Sequence, residues 1–362
     1  MDVTFLKSLY DIPGPFASVY LDMRRATEDA PKVIELRWRA LHRELAEQGT
    51  PAATVEAIER VVAEENIQRE SGTLAVFAAD GEAVHSEVLP GAPRAELARY
   101  APLPHVKPLL AQRGQPIAYL VATVDRLGGE ITCVARGGDR RTIAVKPDED
   151  FPVRKTKAGD MFRQDKQQRA AEEVWRINAK KVAHAMVGAA DDCGADIVVL
   201  AGDVRARTAV QEELSEPVLS RVVDAGGAGP TLDEEITRAV ELKRAEHLTS
   251  LVSRFDEQLT KHGRAVEGMK RVTDALRKGQ VACLFLEDRP DSSITLWTGP
   301  QATDVATSAD RLRELGVADP VVDLADAALI RALVGTDGEL VLLPPESLRA
   351  KSGAGALLRY AD

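Results

Sequence analysis

The chain has 362 residues and a net charge of −10, with 44% apolar and 29% charged residues. That balance excludes global disorder and a single small core, and divides naturally into two or three folded domains. No apolar run reaches the ~20 residues a membrane-crossing helix needs. The start, MDVTFLKSLYDIPGPF, lacks a basic stretch followed by an apolar one, so no signal peptide is read and a cytoplasmic location is expected. Aromatic residues are only 4%, which leaves Ala, Val and Leu to build the cores. Cys133, Cys193 and Cys283 stand far apart without metal-site spacing, and are expected as separate small core residues rather than a disulfide framework.

Residues 1–112 read as an N-terminal α/β domain. Residues 17–23 (ASVYLDM) predict a strand, and Pro31 opens a helix with the apolar stripe Ile34, Trp38, Leu41, Leu45. A second helix over 51–65 carries Val55, Ile58, Val61 and Val62. The runs GTLAVFAA and AVHSEVL, separated by Asp80-Gly81, are a hairpin signal. The proline-rich stretch 100–110 reads as an extended linker into the next domain.

Residues 113–262 form the expected middle domain. Strands are predicted at 117–124 (IAYLVATV), 130–135 and 141–145, then a helix, a strand at 196–201 (DIVVLA), a helix, and a strand at 218–223. Three strands in a meander followed by helix–strand–helix–strand is the order of a ribonuclease-H-like domain. That fold also hosts metal-dependent nucleases, and Asp125, Asp196 and Asp203 sit near strand ends where such a role could be assigned to them, although acidic residues at strand–turn junctions are common without metal. The glycine-rich 224–230 lacks the Lys-Ser/Thr of a phosphate loop and reads as a connector. A long charged helix over 231–261 follows.

Within this domain one stretch reverses the charge of the chain. Over residues 152–181 nine Lys and Arg face four Asp and Glu, a local +5. Arg154, Lys155, Lys157, Gly159, Arg163, Gln164, Lys166 and Arg169 crowd a loop and the first turns of a helix, whose apolar stripe runs through Ala171, Val174, Trp175, Asn178, Val182 and Ala185. A solvated helix face is the plain reading of such a run; presentation of an anion-binding surface is the functional one.

Residues 263–362 form the third α/β domain. A helix over 266–278 ends at Gly279, strands follow at 281–287 and 293–298, and helices and strands alternate to a last strand at 356–360.

The stretches AVEGMKRVTDALRKGQVACLFLED and ADAALIRALVGTDGELVLLP resemble the C-terminal domain of archaeal and eukaryotic class-I release factors and of Pelota, a fold of the kink-turn-binding ribosomal-protein type. The middle domain, with its basic loop and following helix, resembles the middle domain of the same superfamily, and the three-domain order resembles its bacterial branch, to which actinobacterial members and the Balon-type ribosome hibernation factors belong. Release factors of that superfamily carry Gly-Gly-Gln at the tip of the loop, where the Gln orients the hydrolytic water. Here the stretch reads KAGDMFRQ, in which Gly159 and Gln164 are the only counterparts and Asp160 adds a negative charge.

The resemblance therefore implies a ribosome-associated factor lacking the hydrolytic motif, which occupies the A site as a hibernation or stress factor. Its partners would be ribosomal RNA, with EF-Tu as a candidate companion, and no membrane, cofactor or metal; a monomer is expected. Arg154, Lys155, Lys157, Arg163, Lys166 and Arg169 would neutralise RNA phosphates, and Gln164 and Gly159 would approach the RNA backbone. The alternative is a peptidyl-tRNA hydrolase or rescue factor in which Gln164 is catalytic.

Overall fold

The computed structural model describes residues 1–25, 29–68, 71–146, 161–227, 230–261 and 263–360; for 68, 161–173 and 230 only the backbone is described. The protein is of the α/β class, and its strands fall into four sheets. By contacts the chain divides into two compact units, one of Met1–Gly114 with Val252–Asp362, the other of Gln115–Leu251.

In the N-terminal segment a short helix α1 (Lys7–Tyr10) precedes β1 (Phe16–Asp22), α2 (Ala30–Glu47), α3 (Ala52–Gln68), β2 (Thr73–Ala79), β3 (Glu82–Leu89), β4 (Leu97–Ala101) and α4 (Lys107–Arg113). The strands make an antiparallel sheet in the order β3-β2-β1-β4. Asp80 and Gly81 both have positive φ, at 49° and 79°, the backbone that a tight two-residue hairpin requires. Every residue of β1 and β2 is buried, because both faces of the sheet are covered. Ala17, Val19, Leu21, Leu74 and Val76 pack with Ile34, Trp38, Leu41 and Leu45 of α2 and with Val55, Ile58 and Val62 of α3. The alternate positions Phe16, Tyr20, Ala75 and Phe77 join a second core shared with the C-terminal segment.

The proline-rich stretch after residue 100 is not a linker. Its first residues end β4, paired with β1, and Val106, Leu109 and Leu110 around the start of α4 are fully buried. The prolines suit the strand end and the first turn of a helix equally well.

The middle segment contains β5 (Tyr119–Val124), β6 (Gly129–Val134), β7 (Arg140–Val145), α5 (Met161–Cys193), β8 (Ile197–Gly202), α6 (Val204–Glu213), α7 (Glu216–Leu219), β9 (Val222–Gly226) and α8 (Pro230–Thr260). The sheet order is β7-β6-β5-β8-β9, antiparallel from β7 to β5 and parallel from β5 to β9. One face packs against Ala179, Val182, Ala183 and Met186 of α5 and Ala206 and Val210 of α6; on the other, Ile197 and Val199 meet Ala239 and Val240 of α8. The strand expected at 218–223 begins four residues later, since 216–219 form a helical turn with Pro217 in its first turn.

Cys133 on β6 and Cys193 at the end of α5 are joined as a disulfide with their Cα atoms 6.5 Å apart, while Cys283 is free and buried. This corrects the expectation of separate thiols. A separation of 60 residues gives no hint that the helix runs back across the sheet to close it.

The C-terminal segment contains β10 (Ala265–Glu267), α9 (Met269–Arg277), β11 (Val281–Glu287), β12 (Thr295–Thr298), β13 (Val305–Ala306), α10 (Ala309–Glu314), β14 (Val321–Leu324), α11 (Ala325–Val334), β15 (Glu339–Leu343) and β16 (Ala354–Leu358). The strands form two sheets, β10-β16-β11-β15 and β13-β12-β14. The start of the predicted 266–278 helix is strand β10 instead, and Gly268, at φ 95°, separates the two. Phe255 near the end of α8 stacks 4.9 Å from Phe285, over Gly355, where any Cβ would meet the ring at 2.7 Å. Among the described residues no helix is long and apolar enough to cross a membrane.

Candidate RNA interface

One end of the middle sheet is closed by side-chain to backbone hydrogen bonds. At the carboxyl end of β5, Asp125 Oδ1 accepts hydrogen bonds from the amides of Leu127 and Gly128, both at 2.8 Å, which closes the turn into β6. At the same end of β8, Gly202 has a φ of 112°, and a Cβ there would sit 2.0 Å from the Val124 carbonyl oxygen. Only glycine fits. Asp203 follows as the N-cap of α6, accepting from the amides of Arg205 and Ala206 at 3.0 and 3.1 Å. The Ala206 hydrogen bond, with Arg126 nearby, holds the Asp203 carboxyl below its usual range. Arg207, almost fully buried, donates to the carbonyls of Gly202 and Gly226 and pairs with Asp224 at 3.0 Å, tying β8 to β9.

Helix α5 is fastened to this end by one residue of the β5–β6 turn. The Arg126 guanidinium lies 4.8 Å above the Trp175 ring and 3.7 Å from the Asp203 carboxylate. Asn178 donates from Nδ2 to the Arg126 carbonyl at 3.3 Å. Arg126 was not among the residues singled out from the sequence, although a charged residue in a turn at the carboxyl end of a buried parallel strand is the position where α/β sheets place ligand-facing groups. An open cleft of about 570 Å³ lies here, lined by Asp125, Leu127, Gly128, Lys146, Gly202 and Asp203 among others.

Lys146, the last residue described before α5, lines this cleft. Arg154, Lys155, Lys157 and Gly159 lie outside the described residues, and Arg163, Gln164, Lys166 and Arg169 lie on α5 where only the backbone is described. Of the apolar stripe, Asn178 and Val182 are buried, Val174, Trp175 and Ala185 are half-buried, and the stripe also takes in Ala179, Ala183, Met186 and Ala190.

The three carboxylates of the nuclease alternative do not meet. Asp196 precedes β8 and receives Arg136 at 2.8 Å and the Ala118 amide at 3.2 Å. Asp125 and Asp203 stand at the other end of the six-residue strands, about 20 Å away at the rise of a strand. Among the described residues no group of three or more His, Cys, Asp or Glu is arranged to hold a metal.

The fold therefore defines a class: an α/β protein with a mixed five-stranded middle sheet whose third strand is followed in sequence by a strongly basic stretch. Residues 118–261 match the model of the bacterial archaeo-eukaryotic release factor family 2. Two relatives from Mycobacterium tuberculosis, the uncharacterized proteins MT2704 (strain CDC 1551 / Oshkosh) and Rv2629 (strain H37Rv), are each 29% identical over 98% of this chain and 96% of their own length. Among solved structures, Pelota of Archaeoglobus fulgidus is 13% identical, covering 98% of this chain and 91% of its own, with a TM-score of 0.36. Archaeal Pelota in a model of ribosome-bound Pelota and ABCE1 is 14% identical, covering 98% and 93%, with a TM-score of 0.39.

Proposed function

We propose that this chain is a ribosome-associated translation factor homologue that binds the A site through the basic stretch of its middle unit and serves as a hibernation or stress factor. One coincidence carries the reading: the match to the release-factor family spans 118–261, and the same span holds the +5 stretch of a chain whose net charge is −10. Arg154, Lys155, Lys157, Arg163, Lys166 and Arg169 neutralise RNA phosphates in this reading, with an affinity that falls steeply with salt. The KAGDMFRQ stretch takes the place of the hydrolytic tip, so the factor occupies the site without cleaving peptidyl-tRNA. EF-Tu is its proposed companion.

The test is co-sedimentation with vacant ribosomes at low and moderate salt, with and without EF-Tu. A Lys155→Glu, Lys157→Glu, Arg163→Glu variant is run beside the wild type. Salt-sensitive binding that the variant loses supports the reading; no binding by the wild type under any of these conditions removes it. The family match also favours a second reading, hydrolysis of peptidyl-tRNA with Gln164 orienting the water. Release of peptide from ribosomal complexes that disappears in Gln164→Ala would establish it in place of the first.

A further inference from the structure

Within the unit built from residues 1–114 and 252–362 there is a cavity of about 170 Å³ that the ribosome-binding reading does not use. Its apolar lining includes Pro93, Leu97, Pro108 and Pro290. Besides Tyr20, whose hydroxyl is already hydrogen-bonded to the His105 carbonyl and the Leu109 amide, two polar side chains that line it are more than nine-tenths buried: His105 at 7% and Lys107 at 5% exposure. The backbone fixes both. The amide of His105 donates to Ser18 Oγ at 3.0 Å, and its carbonyl accepts from Tyr20 Oη at 2.7 Å.

The hydrogen-bonding state of these two groups is incomplete. His105 Nδ1 is buried and has no partner. Lys107 Nζ pairs with Asp326 at 2.7 Å and donates to the Arg289 carbonyl at 2.9 Å, which engages two of the three protons of an ammonium. The charges, by contrast, are already matched: Lys107 with Asp326, and Arg94 at the rim with Asp288. A buried polar group without a partner is costly, and its completion by a ligand is favourable.

We propose that this cavity binds an uncharged, planar heteroaromatic molecule of nucleobase size. The volume is close to the ~150 Å³ of an apolar cavity that holds benzene, so the occupant is one or two rings. Balanced charges offer nothing to an ion. A purely hydrocarbon ring would leave His105 Nδ1 and the Lys107 proton unpaired. A nucleobase carries donors and acceptors on its edge and apolar faces on either side, which meets both demands among proline rings.

The experiment uses the full chain and four probes, adenine, hypoxanthine, cytosine and uracil, each titrated by calorimetry and by saturation-transfer NMR to millimolar concentration. Ala95, exposed and on the cavity lining, allows Ala95→Trp to fill the space without disturbing a core. The expected result is saturable binding of at least one base, weakened tenfold or more by Ala95→Trp and by His105→Phe, with both variants folded by circular dichroism. The Lys155→Glu, Lys157→Glu, Arg163→Glu variant should bind the base as the wild type does, so this site and the ribosome reading fail separately. No saturable binding of any of the four, or binding that Ala95→Trp leaves unchanged, overturns the proposal and leaves the cavity to water.

Discussion

Asp323, whose side chain is fully buried, receives Arg99 at 2.6 Å through one carboxylate oxygen and the amide of Leu103 at 2.8 Å through the other. The two partners come from strand β4 and the segment after it, more than 200 residues away in sequence. One carboxylate thus holds the N-terminal sheet to the C-terminal segment. Asp323→Ala strands a largely covered guanidinium and a buried amide, and should cost about 3 kcal/mol. Urea unfolding of the full chain measures it; a loss below about 1 kcal/mol would mean the pair is solvated in practice.

Arg126 and Trp175 should be energetically coupled. A cation above an indole ring at a partly exposed site is worth about 0.5–1 kcal/mol. A double-mutant cycle of Arg126→Ala and Trp175→Ala on middle-unit stability should return that coupling. Strict additivity would show that α5 is not fastened by this contact.

Gly202→Ala should disrupt the middle unit. The substitution adds a Cβ 2.0 Å from a backbone oxygen at a φ of 112°, and strain of this kind costs about 1–3 kcal/mol before the clash is counted. Hydrogen exchange reads it locally: amides of β5 and β8 should lose protection while those of β1 and β11 keep theirs.

His105 should make the other unit sensitive to mild acid. Burial holds its pKa below the ordinary value of 6.5, with Lys107 and Arg99 acting in the same direction and Asp326 and Asp323 opposing. The unfolded chain therefore binds more protons than the folded one between the folded pKa and 6.5. Stability is fully present above about 6.5 and is lost as the pH falls from there towards the folded value. Thermal melts of wild type and His105→Phe across this range should show the wild type losing more stability on acidification. Parallel curves would count against a buried neutral imidazole.

Much of the fold is legible in the chain because local signals agree with burial. Asp80-Gly81 specifies its hairpin, and Ile34, Trp38, Leu41 and Leu45 mark the one helix face that meets the first sheet. The failures occur where tertiary packing decides. Leu103, Val106, Leu109 and Leu110 look like linker residues until a distant core covers them, and Val266 reads as helical because nothing local announces its pairing with β16. The Cys133–Cys193 pairing is equally invisible, being set by how α5 crosses the sheet. For the candidate interface the charge reversal is plain in sequence, whereas Arg126, lodged in a short turn, matters only through what the fold sets around it.

The N-terminal sheet has two apolar faces, and they are completed at different times. α2 and α3 follow β1 directly and cover the first. The other, with Phe16, Tyr20 and Phe77, shares a core with Leu9 of α1 and Leu109 and Leu110 of α4, and that core is finished by residues of α9 and α11, beyond an intervening 137 residues from Gln115 to Leu251. At about 5–20 residues per second, the ribosome needs roughly 7–27 s to make that insert alone. Throughout that interval the core holding Phe16, Tyr20 and Phe77 has only the partners that residues 1–114 supply, Leu6, Leu9, Leu109 and Leu110 among them, so a chain proposed to guard idle ribosomes waits, while being made, with that core half built.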